Sequence, residues 1–216
     1  MNRRSVLAGA VASVSLAPFS ATHAETTAKR LFRILRDGDD IGRHSLTLTP
    51  RVDGLEVLID IDIAVKVLGF TAYRYTLRNR EIWQKGALVS LDSQTDDDGE
   101  NERVSIRQVG GQLEVDGSGY TGIAPLSAVT TSYYAQDFIE RRPWISTQSG
   151  QLLKVSTAVK NGGSLKRVAV TGDLEKTIVY DSRGEWVSSE FDAGGELARY
   201  EVIEQSGQVA ALWQSA

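Results

Sequence analysis

Few side chains in this 216-residue chain are equipped for acid–base, nucleophilic or metal chemistry, and their spacing limits what they can do. There is no cysteine, which excludes disulfides, zinc–thiolate sites, iron–sulfur clusters and a thiolate nucleophile. Of the two histidines, His23 lies in a segment read below as a removable leader, so any histidine-dependent catalysis rests on His44. His44 is in step with Leu46 and Leu48 on an alternating segment, and no Gly-x-Ser-x-Gly elbow occurs. It reads as a partly buried structural histidine. Asp60 and Asp62, two residues apart on one strand face, would sit about 7 Å apart, a separation used in sugar hydrolysis. The competing reading is cross-strand ion pairing with Arg74 and Arg78, and it is favoured because a catalytic acid needs desolvation.

The acidic run Asp96-Asp97-Asp98-Gly99-Glu100-Asn101-Glu102 has the residue types of a calcium loop. With Gly99 at the loop glycine, the first and last ligand positions fall on Gln94 and Ser105, so the run reads as a solvated hairpin tip. No HExxH, phosphate-cradling loop or dinucleotide fingerprint is present. Catalytic residues, metal ligands and cofactors are therefore assigned to none. Tyr133, Tyr134, Phe138 and Trp144 cluster with Arg141 and Arg142, a set that can line a ligand mouth and meet an anionic head group.

Composition bounds the partners. The apolar share is 41% and the charged share 24%, ordinary for a globular protein with a sizeable core. A net charge of -4 argues against nucleic acid, which requires a basic face. Residues 1–24 read as an export signal: Arg3 and Arg4, an apolar stretch from Val6 to Leu16, Pro18, then Thr22-His23-Ala24 before a cut at Glu25. The pair Arg3-Arg4 followed by Ser5-Val6-Leu7 resembles a twin-arginine signal, with Asn2 and Val6 departing from its pattern; the alternative is an ordinary secretory signal that happens to carry two arginines. The stretch is too short to span a membrane, and localisation is read as periplasmic.

The elements that must position these side chains are strands. Leu55, Val57, Ile59, Ile61, Ile63, Val65 and Val67 alternate with mostly polar residues, predicting a strand of about 40 Å that must twist strongly. Leu68-Gly69 turns it into Phe70 to Trp83, and pairing odd with odd positions sets Asp60 and Asp62 near Arg74 and Arg78. Further strands are read at Arg30–Arg36, Ile41–Thr49, Leu88–Gln94, Glu102–Val109, Gln112–Asp116, Gln151–Val159, Lys166–Thr171, Lys176–Asp181, Trp186–Phe191 and Leu197–Glu204. Turns are read at Gly38-Asp39-Asp40, Arg51 to Gly54, Gly110-Gly111, Asn161 to Gly163, Ser182 to Gly184 and Ala193 to Gly195. Ser127 to Trp144 is the exception: Tyr134, Phe138 and Ile139 share a face at helical spacing and Pro143 ends it, predicting a short helix. The fold class is mainly β: a strongly curved antiparallel sheet forming an open or nearly closed barrel with one short helix, in a single domain, 25–216.

Asp40-Ile41-Gly42, Tyr73-x-Tyr75-x-Leu77, Glu81-x-Trp83-x-x-Gly86-x-Leu88, Ser132-Tyr133-Tyr134 and the Trp144 to Gly150 region carry a resemblance. The chain resembles a group of exported proteobacterial proteins classed as domains of unknown function, themselves similar to the periplasmic lipoprotein carriers. The resemblance covers most of Arg30 to Val159. It implies an unclosed β-barrel with a helix over its opening and an apolar concave face, which Leu55 to Val67 would supply. It carries no catalytic residues.

The leading expectation is non-catalytic binding or carriage of a lipid or other hydrophobic or amphipathic small molecule. Ile59, Ile61, Ile63, Tyr73 and Tyr75 would line the interior, Tyr134 and Phe138 would cover it, and Arg141 or Arg142 would meet a polar head. One alternative is an envelope scaffold or assembly protein with a filled core. The other is a carbohydrate-active enzyme using Asp60 and Asp62. Intact mass of the protein recovered from the periplasm of an expressing bacterium is expected to match a chain starting at Glu25, and replacing Arg3-Arg4 by Lys-Lys is expected to block export.

Overall fold

The computed structural model describes residues 27–215, so the leader assigned to 1–24 lies outside the described residues. The chain begins with eight antiparallel strands in sequence order: β1 (Ala28–Arg36), β2 (Asp39–Arg51), β3 (Gly54–Val67), β4 (Phe70–Gln84), β5 (Ala87–Asp97), β6 (Glu100–Val109), β7 (Gln112–Gly117) and β8 (Thr121–Pro125). Three two-residue strands follow, β9 (Val129–Thr130), β10 (Trp144–Ile145) and β11 (Leu152–Leu153). A second meander closes the chain: β12 (Val155–Gly162), β13 (Leu165–Gly172), β14 (Lys176–Asp181), β15 (Trp186–Asp192) and β16 (Leu197–Ser206), then a short helix, α1 (Val209–Gln214).

The local reason for the meander is turn chemistry. Asp37-Gly38, Leu68-Gly69, Lys85-Gly86, Asp98-Gly99 and Gly110-Gly111 each place two successive residues at positive φ. That is the two-residue hairpin turn whose twist matches the flanking strands, and it explains why glycine recurs at the second position. The first of these is Asp37-Gly38 rather than the expected Gly38-Asp39-Asp40, because Asp39 already pairs with Arg36. Gly42 has a different reason: a Cβ there would lie 2.1 Å from the Asp62 carbonyl oxygen, so β2 lies against β3 at a point where only glycine fits.

β16 pairs with β1, so the two meanders join into one antiparallel sheet of thirteen strands in the order β12-β13-β14-β15-β16-β1-β2-β3-β4-β5-β6-β7-β8. The sheet is mainly β, strongly curved and barrel-like, and hydrogen bonds do not close it: β12 and β8 are free edges. The β9–β11 segment, a separate small sheet in the order β11-β10-β9, fills the gap. It is stitched to one side by the Gly119 amide donating to the Ser149 carbonyl (2.8 Å) and to the other by Arg142 Nε donating to the Val155 carbonyl (3.0 Å).

The short helix read between Ser127 and Trp144 is reduced to one 3-10 turn, Gln136–Glu140, flanked by β9 and β10. Phe138 and Ile139 are buried by that five-residue turn, and Tyr134 is buried just ahead of it. The helix proper is α1, which the sequence reading missed, as it did β8. Its Trp213 packs edge-on against Trp83 at 5.1 Å and Phe138 at 5.2 Å, closing the end of the interior where β3 begins.

The register of β3 on β4 is odd-to-odd, with Asp60 opposite Arg78 and Ile61 opposite Leu77, as the alternation required. The length of β3 also has its explanation. Leu55, Val57 and Ile59 are buried in the core, Ile61, Ile63 and Val65 are half-buried, and Val67 is exposed. Strands β3 and β4 therefore run beyond the packed core and wall an opening at their far end. Among the described residues no helix is long and apolar enough to cross a membrane.

A buried ion pair ties the two meanders together. Arg30 on β1 meets Glu185 at 2.7 Å with both side chains about 2% exposed, and Glu185 also accepts from the Ala210 amide of α1 at 3.0 Å. Removing one partner strands a charge in the interior, so Glu185→Ala is expected to lose about 3–5 kcal/mol in urea unfolding. The double replacement Arg30→Met with Glu185→Leu is expected to recover most of that loss.

Candidate functional site

The opening beyond the core is a cavity of about 670 Å³. One wall is aliphatic, from Ile61, Ile63, Val65 and Val67 of β3 and Ile41 of β2. The other is aromatic: Tyr73 and Tyr75 of β4, Phe191 of β15, Tyr200 of β16 and Tyr133 from the segment that fills the gap. The volume is that of a small-molecule site, and a mostly apolar lining with few polar groups is the usual composition of one.

Two polar features stand in that apolar wall. Lys176 at the start of β14 is half-buried, and its Nζ lies 4.4 Å from the Tyr133 ring centre and 4.7 Å from the Phe191 ring centre. It donates to the Tyr133 hydroxyl and makes no ion pair among the described residues. Arg36, the other cation on the wall, is spent on Glu196 at 3.2 Å and the Ala193 carbonyl at 2.8 Å. Tyr133 itself has φ +35, a conformation unusual for a bulky residue. Its carbonyl accepts from the buried Tyr180 hydroxyl at 2.6 Å and its ring packs edge-on against Trp186 at 5.2 Å, which together hold it there. Sparsely populated backbone held in place by its surroundings gathers at ligand sites.

Of the residues expected to bind a ligand, Ile61, Ile63, Tyr73 and Tyr75 line this cavity together. Ile59 lies deeper and walls a second, inner chamber instead. The remaining four are elsewhere, which corrects the expected lid. Tyr134 and Phe138 are fully buried against Trp83 and Trp213, at the opposite end of the interior. Arg141 gives its guanidinium to the Gly86, Ser127 and Ala128 carbonyls and stacks over Trp83 and Phe138. Arg142 is bound to the Ile139, Arg141 and Val155 carbonyls and to the Thr157 hydroxyl. Both arginines satisfy backbone oxygens that the irregular segment would otherwise leave unpaired, and neither reaches the cavity.

The missed residue with the clearest signal is Lys176. In Lys176-Thr177-Ile178-Val179-Tyr180 it is in phase with buried Ile178 and Tyr180, so strand alternation points a cation inward. Tyr133, read in the aromatic–arginine cluster, is the one member of that set that lines the cavity, and the backbone conformation that puts it there is announced by nothing local.

The other candidates resolve plainly. Asp60 meets Arg78 at 3.0 Å and Asp62 meets Arg74 at 3.4 Å, with the carboxylates 57% and 63% exposed. They lie on the wet face of the sheet, paired with cations and open to water, not in the dry groove a catalytic pair needs. Asp96 caps its own turn by accepting from the Gly99 amide, and Asp97 accepts from the Tyr73 hydroxyl at 2.7 Å. His44 is fully rather than partly buried, packed edge-on against Phe32, Trp186 and Tyr200.

An open, barrel-like β-protein with an apolar cavity at one end is the class that fold and site define. The chain belongs to the family described as a domain of unknown function, DUF6134, whose model matches residues 32–203. It is similar in fold to a beta-barrel-like protein of domain of unknown function DUF1849 from Brucella abortus, seen in a crystal structure. That likeness has a TM-score of 0.60 at 10% identity, over 84% of this chain and 98% of the other. Comparison with curated proteins finds no significant match.

His44 carries a pH signature. Burial first, and the nearby Lys176 ammonium second, push its pKa down from 6.5 to about 3. The unfolded chain binds a proton here that the folded chain refuses, so this contribution to stability is complete above pH 6.5 and declines as pH falls toward 3. The slope is at most about 1.4 kcal/mol per pH unit. Urea unfolding between about pH 7 and 4.5 is expected to show His44→Phe gaining on the wild type as pH falls. A difference between the two that does not vary with pH would refute a neutral buried imidazole.

Proposed function

We propose that this protein is exported to the periplasm and there binds or carries, without catalysis, an amphipathic molecule with an apolar body and an anionic head. The apolar body occupies the cavity between the Ile61–Val67 wall of β3 and the Tyr73, Tyr75 and Phe191 rings, and Lys176 meets the head. The single observation that carries this reading is the half-buried ammonium of Lys176, set among aromatic rings in a 670 Å³ apolar cavity without a carboxylate partner. A charge in such a place is costly unless an opposite charge arrives, and an incoming carboxylate or phosphate is the natural one. The leader at 1–24 supports the compartment.

A second reading, an assembly protein of the envelope, is favoured by the tip of the β3–β4 hairpin, where Leu68 is 94% and Phe70 78% exposed. Apolar tips of this kind contact other molecules.

Native mass spectrometry of the mature protein, purified without detergent, is expected to show a bound lipid-like anion at a ratio of one. Lys176→Met is expected to weaken binding of a long-chain carboxylate about tenfold, the scale of one charged hydrogen bond. Ile63→Arg, at a half-buried position in the aliphatic wall, is expected to abolish it. An empty protein whose melting temperature ignores fatty acids and phospholipids would end the binding reading and leave the assembly one.

A further inference from the structure

Deeper in the barrel lies a second chamber of about 440 Å³, which shares Ile61, Tyr75 and Tyr133 with the outer cavity and differs from it in chemistry. Its lining is rich in hydroxyl and amide groups, including Thr131, Ser132, Thr147, Asn79 and Gln148. Among the described residues, no lysine or arginine lines it, while Glu102 and Asp173 do.

The wall also holds polar atoms without partners. His44 and Asn79 are both more than nine-tenths buried, and the two imidazole nitrogens and Asn79 Oδ1 make no hydrogen bond; nor does Glu102 Oε2. Native interiors rarely leave such atoms unpaired, so several together on the wall of one cavity mark a place where a molecule from outside supplies the missing bonds. Neutral His44 offers one donor and one acceptor, Asn79 Oδ1 an acceptor, and the hydroxyls either. The chamber opens to solvent on the side of Gly119, Gln151 and Asp173, all exposed, so access does not pass through the apolar cavity.

We propose that this inner chamber binds a small, uncharged, polyhydroxylated molecule, a monosaccharide or polyol. Three features of the lining select that class. Mixed donors and acceptors at many points suit a molecule that is itself a donor and acceptor at each hydroxyl. The rings of Tyr75 and Tyr133 offer apolar contact to its C–H faces. The two carboxylates, on a lining that includes no lysine or arginine, disfavour an anion. The proposal is independent of the outer cavity's ligand.

Isothermal titration of the mature protein with glucose, mannose, xylose and glycerol tests it, with glucuronate as the charged counterpart. At least one neutral compound is expected to bind with Kd below about 1 mM, and glucuronate at least about tenfold more weakly. His44→Phe keeps the ring in its aromatic surroundings and removes both nitrogens. Gln148→Trp fills the chamber from a half-buried loop position and leaves the core intact. Both are expected to lose sugar binding while keeping the wild-type fold by circular dichroism. The proposal is overturned if no neutral compound gives heat, if glucuronate binds as well as glucose, or if the folded Gln148→Trp variant binds like the wild type. The first outcome would leave the chamber to water, the second would remove the selection against charge, and the third would place the sugar outside the chamber.

Discussion

A carboxyl group sealed in the interior pins together what the sheet cannot close for itself. Glu81, from the middle of β4, is fully buried and accepts from Asn79 Nδ2 at 2.8 Å and Trp83 Nε1 at 2.7 Å, both on its own strand, and from the Ser132 hydroxyl. Burial raises its pKa, and the bonds from Ser132, Asn79 and Trp83 oppose that shift. Ser132 belongs to the segment between β8 and β12, so this bond fastens the gap-filling segment to the middle of the sheet. Removing it would leave the carboxyl one donor short in a dry place and unfasten the segment from the sheet.

The constraint behind this arrangement is the sheet's incomplete closure. Thirteen strands curl far enough to enclose an interior, yet β8 and β12 do not pair. Free edges expose backbone groups and invite association with other chains. The intervening segment covers the gap, with Arg141 and Arg142 spending nearly all their donors on carbonyls. Because that segment brings Tyr134, Phe138 and Trp144 into the end where β3 begins, the interior is filled there. Toward the far end of β3 nothing comparable enters, and the aliphatic wall is left facing aromatic rings across open space. Tyr133 stands at the boundary, its ring shared by the apolar cavity and the polar chamber behind it.

The interior is thus graded along its length, from packed aromatics through a hydroxyl- and amide-lined chamber to an apolar cavity with Lys176 and Arg36 on its wall. The outer face is simpler. Asp60 with Arg78, Asp62 with Arg74, Asp92 with Arg107 and Asp116 with Arg103 form exposed cross-strand pairs along β3 to β7. Such pairs contribute little stability each, but they keep the wet face polar and fix the pairing partners.

Features that depend on neighbours along the chain could be read from the residues alone. Alternation set which faces of β3 and β4 point inward and hence their register, and two-residue glycine turns set the succession of hairpins. Both are local, because side-chain period and turn conformation are decided within a few residues. Ile61, Ile63, Tyr73 and Tyr75 could be placed together for that reason. Which part of the interior is filled depends instead on contacts between distant segments. Tyr134, Phe138, Arg141 and Arg142 look like a ligand mouth in the sequence, since aromatic and cationic side chains recognise a ligand and a neighbouring strand by the same contacts. Whether they close the core or line a cavity depends on which segment arrives opposite them. That is set by closing a gap between two strands, β8 ending at Pro125 and β12 beginning at Val155. Lys176 and Tyr133 meet for the same reason, brought together across 43 residues by a fold that no local pattern specifies.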